Sequence, residues 1–389
     1  MAETSGPYRI LVVDDEPDLE PLVLQRMRRA IRSGRYQFVF AQNGVEALET
    51  LNQDDEIDMV LSDINMPQMD GLALLSHIPD VAPDIHAVII SAYGDMKNIR
   101  SAMNLGAFDF VTKPVDFEDL RITIERALSN LEAWRAATAS RERLVALENE
   151  LDVANKMQQS ILPTEFPRQP GFQIHGSMTP ARVVGGDFFD VVYLNNGRIG
   201  LAVADVSDKG VPAALFMMAS RTLLKSAAMG LKTPREVLTE VNDLLYDDND
   251  AMMFVTLFYA VYDPATGEMT YANGGHNAPL IVHVDGSSTV LPGTNGIALG
   301  VMPGMSYDER TISISAGDTV VFYTDGVTEA VNEESEEFGM ERLQQVFTSQ
   351  PIREAESATQ AVFDAVNKFA GNVAQFDDIT CLVFRRSEP

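Results

Sequence analysis

Hydrophobic positions along this chain follow three rhythms in turn. Between residues 8 and 130, short β-branched runs alternate with helical stretches. RILVVDD (9–15) ends on Asp14 and Asp15, and IDMVLSD (57–63) ends on Asp63. HAVIISA (86–92) carries Ser91 near its end, and FDFVTKP (108–114) reaches Lys113. Continuous apolar runs of this length, spaced by helices, predict parallel strands buried on both faces. Ligands of such sheets sit outside the carboxyl ends of the strands. Three carboxylates, a hydroxyl and an amine are therefore predicted to converge at one edge, a set that suits a divalent cation and a phosphoryl group.

Residues 115–162 contain neither Gly nor Pro and are rich in Leu, Ala, Glu and Arg. Leu120, Ile124, Ala127, Leu131, Trp134 and Thr138 keep a three–four spacing. Leu144, Leu147, Leu151, Ala154, Gln158 and Ile161 resume it after a slip near Arg141. This predicts one helix of about 45 residues, about 65 Å long at 1.5 Å per residue, with a coiled-coil seam that pairs two copies of the chain. Pro163, Pro167 and Pro170 are expected to end it.

Beyond the prolines, FQIHGSM, RIGLAVAD, MFVTLFYAVYD, GEMTYAN, DTVVFYTD and DITCLVFRR read as strands. Segments 212–229, 234–247 and 355–370 read as helices. The expected organisation is a domain over 1–130, a helical linker over 115–162 that overlaps its last helix, and a second domain over 163–389.

Composition narrows the partners. A net charge of −28 argues against a nucleic-acid surface and against docking on an anionic membrane. No stretch approaches the roughly 20 apolar residues of a membrane span, and the first residues lack the pattern of a signal peptide. With one cysteine, Cys381, in the apolar run ITCLVF, a buried small hydrophobe in a reducing cytoplasm is the expectation.

The first acidic set has the chemistry of a phosphoacceptor. Asp14, Asp15 and Asp63 can hold one Mg²⁺, which takes oxygen ligands and keeps several waters. A carboxylate can also attack phosphorus to give an acyl phosphate, and Asp63 lies at the end of the central run. Lys113 would neutralise phosphoryl oxygens and Ser91 would hydrogen-bond one of them, while Phe110 is placed to swing inward as Ser91 moves. These motifs, with D-x-x-M-P-x-M-D-G at 63–71 and K-P at 113–114, make residues 8–128 resemble the receiver domain of two-component response regulators. The resemblance implies a doubly wound, flavodoxin-like α/β fold, Asp63 as phosphoacceptor, and Asp15 as chief metal ligand with Asp14. It also implies the Asn65 carbonyl in the metal shell and a cognate histidine kinase as partner.

The second acidic set caps several apolar runs. Asp187 follows two glycines, Asp205 ends RIGLAVAD, Asp325 ends DTVVFYTD, and Asp377 and Asp378 precede ITCLVF. Carboxylates brought together raise one another's pKa unless a cation compensates them. Two Mn²⁺ or Mg²⁺ ions fit an all-oxygen set. QQSILP at 158–163, GGDFFD at 185–190, ADVSDKG at 204–210, YANGGHNAP at 271–279, FYTDGVTEA at 322–330 and FDDIT at 376–380 resemble the metal-dependent PPM protein phosphatases, in the SpoIIE/RsbU branch. That resemblance covers about 150–388. It implies an αββα sandwich that hydrolyses phosphoserine or phosphothreonine through a metal-held hydroxide. Asp205 would bridge both metals, Asp187 and the Val206 carbonyl would serve one, and Asp325 and Asp377 the other. Asp378 and Asp208 are further candidates, Asp378 as a neighbour; Asp208 replaces the usual Gly of that motif. His276 is open between steering a phosphate or proton and shaping its turn. By the same resemblance the substrate is a phosphorylated anti-anti-sigma protein of the STAS type, with a sigma factor as a further candidate partner. The competing reading is a sigma-factor adaptor of the RssB type, whose phosphatase-like domain only binds.

Overall fold

The computed structural model describes residues 6–92, 94–166, 169–195, 197–230, 232–247, 249–348 and 353–387. The chain forms two compact units, Met1–Ala146 and Leu147–Pro389.

The first unit runs β1 (Tyr8–Val13), α1 (Leu19–Arg26), α2 (Arg28–Arg32), β2 (Tyr36–Ala41), α3 (Gly44–Gln53), β3 (Ile57–Asp63), α4 (Gly71–Val81), β4 (His86–Ala92), α5 (Met96–Asn104) and β5 (Asp109–Lys113). Its strands form a parallel sheet in the order β2-β1-β3-β4-β5. Alternate residues of each strand feed opposite apolar layers. Leu11, Val13, Val60 and Ile89 join one, and Ile10, Val12, Met59 and Ile90 the other. Burial on both faces explains why these strands read as unbroken apolar runs. β2 escapes that test because it is an edge strand, only partly covered along its middle.

The predicted long helix is present as α6 (Phe117–Ile161), 45 residues. Leu120, Ile124, Ala127 and Leu128 pack into the second apolar layer of the parallel sheet. From 132 to 150 every side chain except that of Thr138 is exposed. The helix stops two residues before Pro163; of the other expected terminators, Pro167 lies outside the described residues.

The second unit continues with β6 (Phe172–Thr179), β7 (Phe188–Tyr193), β8 (Ile199–Val206), α7 (Val211–Ala228), α8 (Pro234–Asp247), β9 (Val255–Asp263), β10 (Glu268–Gly274), β11 (Leu280–Val282), β12 (Ser288–Val290), β13 (Glu309–Ser313), β14 (Thr319–Tyr323), α9 (Asp325–Thr328), α10 (Gly339–Thr348), α11 (Ala355–Ala370) and β15 (Ile379–Arg386). Two antiparallel sheets, β13-β10-β9-β8-β7 and β12-β11-β14-β15-β6, pack face to face. Phe258 meets Phe322, and Tyr262 meets Phe384, across that interface at ring separations of 5.7 and 4.5 Å. The period-two rule assigns the strand residues of β14: Val320 and Phe322 face the opposite sheet, whereas Val321 and Tyr323 face α10 and α11. On the outer side of the first sheet, Met217 and Leu224 of α7 and Val237 and Val241 of α8 complete the core. The result is an αββα sandwich. Cys381 is wholly buried in it, and burial pushes its thiol up to about 12. Among the described residues, no helix is long and apolar enough to cross a membrane.

Candidate functional site

The parallel sheet delivers its carboxylates as the strand order requires. β1 and β3 are neighbours, so Asp14 and Asp15, just past β1, meet Asp63 at the end of β3. Ligand atoms of the three lie within 4.8 Å of one another. Lys113, at the end of β5, places Nζ 3.0 Å from Asp14 Oδ2, Asp63 Oδ2 and Glu16 Oε1 alike. Glu16 was not singled out from sequence, because nothing in its spacing separates it from a solvated acid. Burial pushes the Asp63 carboxyl above the usual carboxylate range; Lys113 opposes this and Asp14 adds to it. Burial would lower the Lys113 ammonium, but hydrogen bonds to Glu16, Asp63 and Asp14 raise it. Ser91 is fully buried, and its Oγ has no hydrogen-bond partner. Phe110 lies half-exposed on β5, and Asn65 is exposed in the turn after β3.

The second set is assembled from both sheets of the sandwich. Asp187 enters β7 and Asp205 lies on β8, in one sheet; Asp325 follows β14, and Asp377 and Asp378 precede β15, in the other. Asp187 is buried, and its Oδ2 accepts hydrogen bonds from Thr324 Oγ1 and Thr380 Oγ1, each at 2.7 Å. Asp187 and Asp205 are also close enough for their carboxyls to hydrogen-bond. Burial, then the charge of Asp325, lifts the Asp205 carboxyl to about 7. Burial, then Asp205 and Asp378, holds Asp187 well above the carboxylate range, and burial, then Asp377, raises Asp325. Asp377 pairs instead with Lys209, whose Nζ stands 2.9 Å from Oδ2.

Asp378 proves to be a clamp. Its carboxylate accepts from the backbone N–H of Ala181 at 2.8 Å and of Gly186 at 2.6 Å, with Asp187 N at 3.4 Å. A Cβ on Gly185 would stand 2.5 Å from Asp378 Oδ2, and one on Gly326 only 2.0 Å from the Asp378 carbonyl oxygen. Both glycines are therefore fixed by close approach. A second clamp comes from α6. Gln158, placed in the helical seam by its spacing, is buried instead; its Nε2 donates to the Gly185 carbonyl at 2.6 Å and its Oε1 accepts from Gly185 N at 3.0 Å. The threonines and Gln158 lie inside the motifs read from sequence, but their roles depend on partners 27 or more residues away.

Asp208 takes a left-handed backbone, φ +67°, and its side chain is exposed. Glycine adopts that conformation without steric cost, and aspartate is among the residues that tolerate it. The Val206 carbonyl lies against the loop that carries Asp187, 3.0 Å from where a Gly186 Cβ would stand. His276 is buried with both nitrogens engaged: Nδ1 lies 2.8 Å from Thr256 Oγ1 on β9 and Nε2 3.1 Å from the Tyr323 carbonyl on β14. Burial lowers its pKa to about 4. A neutral imidazole that accepts from Thr256 and donates to Tyr323 joins the two sheets and leaves no nitrogen for a phosphate. Phe188 and Phe189 are core residues.

Residues 10–125 match the response regulator receiver domain family, and residues 195–387 match the Stage II sporulation protein E (SpoIIE) family. The chain is 31% identical over 265 residues to protein IcfG of Synechocystis sp., covering 61% of this chain and 42% of that protein. It is 28% identical over 272 residues to the phosphoserine phosphatase RsbU of Bacillus subtilis, covering 69% of this chain and 80% of that one. It thus spans less than half the length of IcfG. In fold, 62% of the chain superposes on 98% of the SiaA-PP2C domain of Pseudomonas aeruginosa, with a TM-score of 0.55 and 22% identity.

Proposed function

We propose, on the premise that this chain joins an N-terminal response regulator receiver domain to a C-terminal SpoIIE/PP2C-type phosphatase domain, that it is a protein phosphatase controlled by phosphorylation of Asp63. The observation that carries the reading is the crowd of acids Asp187, Asp205, Asp325 and Asp377. Burial and mutual repulsion raise the proton affinity of the first three, and buried charges without compensation are costly to keep. The donor set is all oxygen, which fits two Mn²⁺ or Mg²⁺ ions; when bound, such ions polarise phosphoryl oxygens and make water nucleophilic at neutral pH. Asp205 would lie between the two centres, with Asp187 and the Val206 carbonyl on one side and Asp325 and Asp377 on the other. Thr324, Thr380 and Asp378 hold Asp187 in place. The reaction transfers the phosphoryl group of a phosphoserine or phosphothreonine to water and returns the hydroxyl side chain.

In the receiver, Asp14, Asp15, Asp63 and the Asn65 carbonyl would hold one Mg²⁺, which screens charge on the incoming phosphoryl group. A carboxylate oxygen of Asp63 takes that group from a histidine kinase. Lys113, already bonded to Asp63, neutralises its oxygens. The unpartnered Ser91 hydroxyl donates to one of them, and Phe110 moves with it. The exposed stretch of α6 would pair with that of a second copy. The favoured substrate is a phosphorylated STAS-type anti-anti-sigma protein, whose release acts on a sigma factor. An RssB-type adaptor role is the second reading; the complete acid set favours the enzyme.

The test is Mn²⁺-dependent hydrolysis of a phosphoserine substrate, with and without beryllofluoride on Asp63, using Asp325→Ala as control. Activity should vanish in the variant, a loss of at least ~100-fold, and should change on loading. No hydrolysis and no metal binding in either state would make the chain a phosphorylation-switched binding protein.

A further inference from the structure

A cleft of about 230 Å³ opens from the phosphatase acids, with Asp377 in its lining, and extends away from them past Glu329. It is lined by Val331, from the segment after α9, by Val373 and Phe376, from the segment between α11 and β15, and by Val366 of α11. Phe376 is 80% exposed, unusual for a phenylalanine held so near a buried acid set. The charged residues of the lining are Glu329 and Asp377. Asp377 is paired with Lys209, which also donates to the Phe376 carbonyl and lies 3.9 Å from the centre of its ring. Glu329 has no ion-pair partner among the described residues. Asp325, Glu337 and Asp377 act on it with like charge, and Lys209 alone with opposite charge.

We propose that this cleft reads the substrate: it receives an arginine or lysine side chain adjacent to the phosphorylated residue. The inference rests on the phosphatase reading above and names the substrate class for that site. Two features of the cleft select this occupant. The cleft is continuous with the acids, since Gly326 and Asp377 line it, so a residue next to a phosphoserine at those acids reaches it. Its apolar lining and a carboxylate held in no ion pair match a side chain with an aliphatic stem and a cationic head. An apolar occupant would leave Glu329 unpaired, and an acidic occupant would meet Glu329 and Asp377 with like charge.

The experiment uses the full-length protein with Mn²⁺ and phosphoserine peptides that differ only in carrying Arg or Ala, on each side of the phosphoserine in turn. p-Nitrophenyl phosphate, which has no neighbouring residue, runs alongside. Arg on one side should raise kcat/KM roughly five-fold, the range of an exposed ion pair, with the gain in KM. Glu329→Gln should bring the Arg-to-Ala ratio to about one, and Glu329→Lys should invert it. A structural role for Glu329 would slow both peptides alike and leave the ratio standing, which would overturn the assignment. Equal rates on all wild-type peptide pairs, with p-nitrophenyl phosphate cleaved, would remove the cleft and keep the phosphatase. Failure to cleave any of them would remove the phosphatase reading and this one with it.

Discussion

Asp378 and Asp208 are both acids in phosphatase motifs, yet neither is placed to act as its charge alone would predict. The first spends its oxygens on backbone N–H groups of the loop that carries Asp187. The second is exposed in a left-handed turn. His276 makes the same point with a measurable consequence. Its folded pKa of about 4 lies below the usual histidine value of 6.5, so the unfolded chain binds the proton more readily. The stability this residue contributes is complete above about pH 6.5 and is lost as pH falls towards about 4. Between pH 7.5 and 5, urea titration should show the wild type losing about 2 kcal/mol relative to His276→Gln. Parallel pH profiles for the two proteins would mean the ring is not buried neutral.

At the scale of elements, the buried strands were legible because burial on both faces writes an unbroken apolar run. β2, β7 and the short β11, β12 and β13 were not: β2 is a half-covered edge, β7 also lies at the edge of its sheet with its apolar residues broken by Asp190, which pairs with Arg221 of α7, and β11 to β13 are only three to five residues long. The short α10, with Gly339 at its start, was missed for want of length. α6 was legible because nothing in it interrupts helical spacing. Arg135 anchors it to Asp58 on β3 at 2.7 Å, and Gln158 reaches Gly185 near its other end. A Gly-Pro insertion after Ala139 costs about 4 kcal/mol of local helix. It should leave phosphatase activity measurable while abolishing its response to beryllofluoride. A response of unchanged size would exclude α6 as the route of control.

For the whole molecule, the exposed apolar residues of α6 set the expectation. Leu144 and Leu147 are 59% and 53% exposed on a helix long enough to pair. Leu144→Glu with Leu147→Glu should convert a dimer to a monomer in sedimentation velocity, weakening association at least ~100-fold; a wild type already monomeric at micromolar concentration would contradict the paired seam. The sequence by itself determined the classes of element and both acid sets. Strand runs, helix spacing and acids at strand ends are local consequences of burial and of backbone geometry. Only the tertiary structure decided which acids touch each other, which serve as clamps, and that Gln158 belongs to the Asp187 loop rather than to a helical seam. Those outcomes depend on pairings between residues far apart in the chain, and hydrophobic pattern carries no record of a hydrogen bond made across the fold.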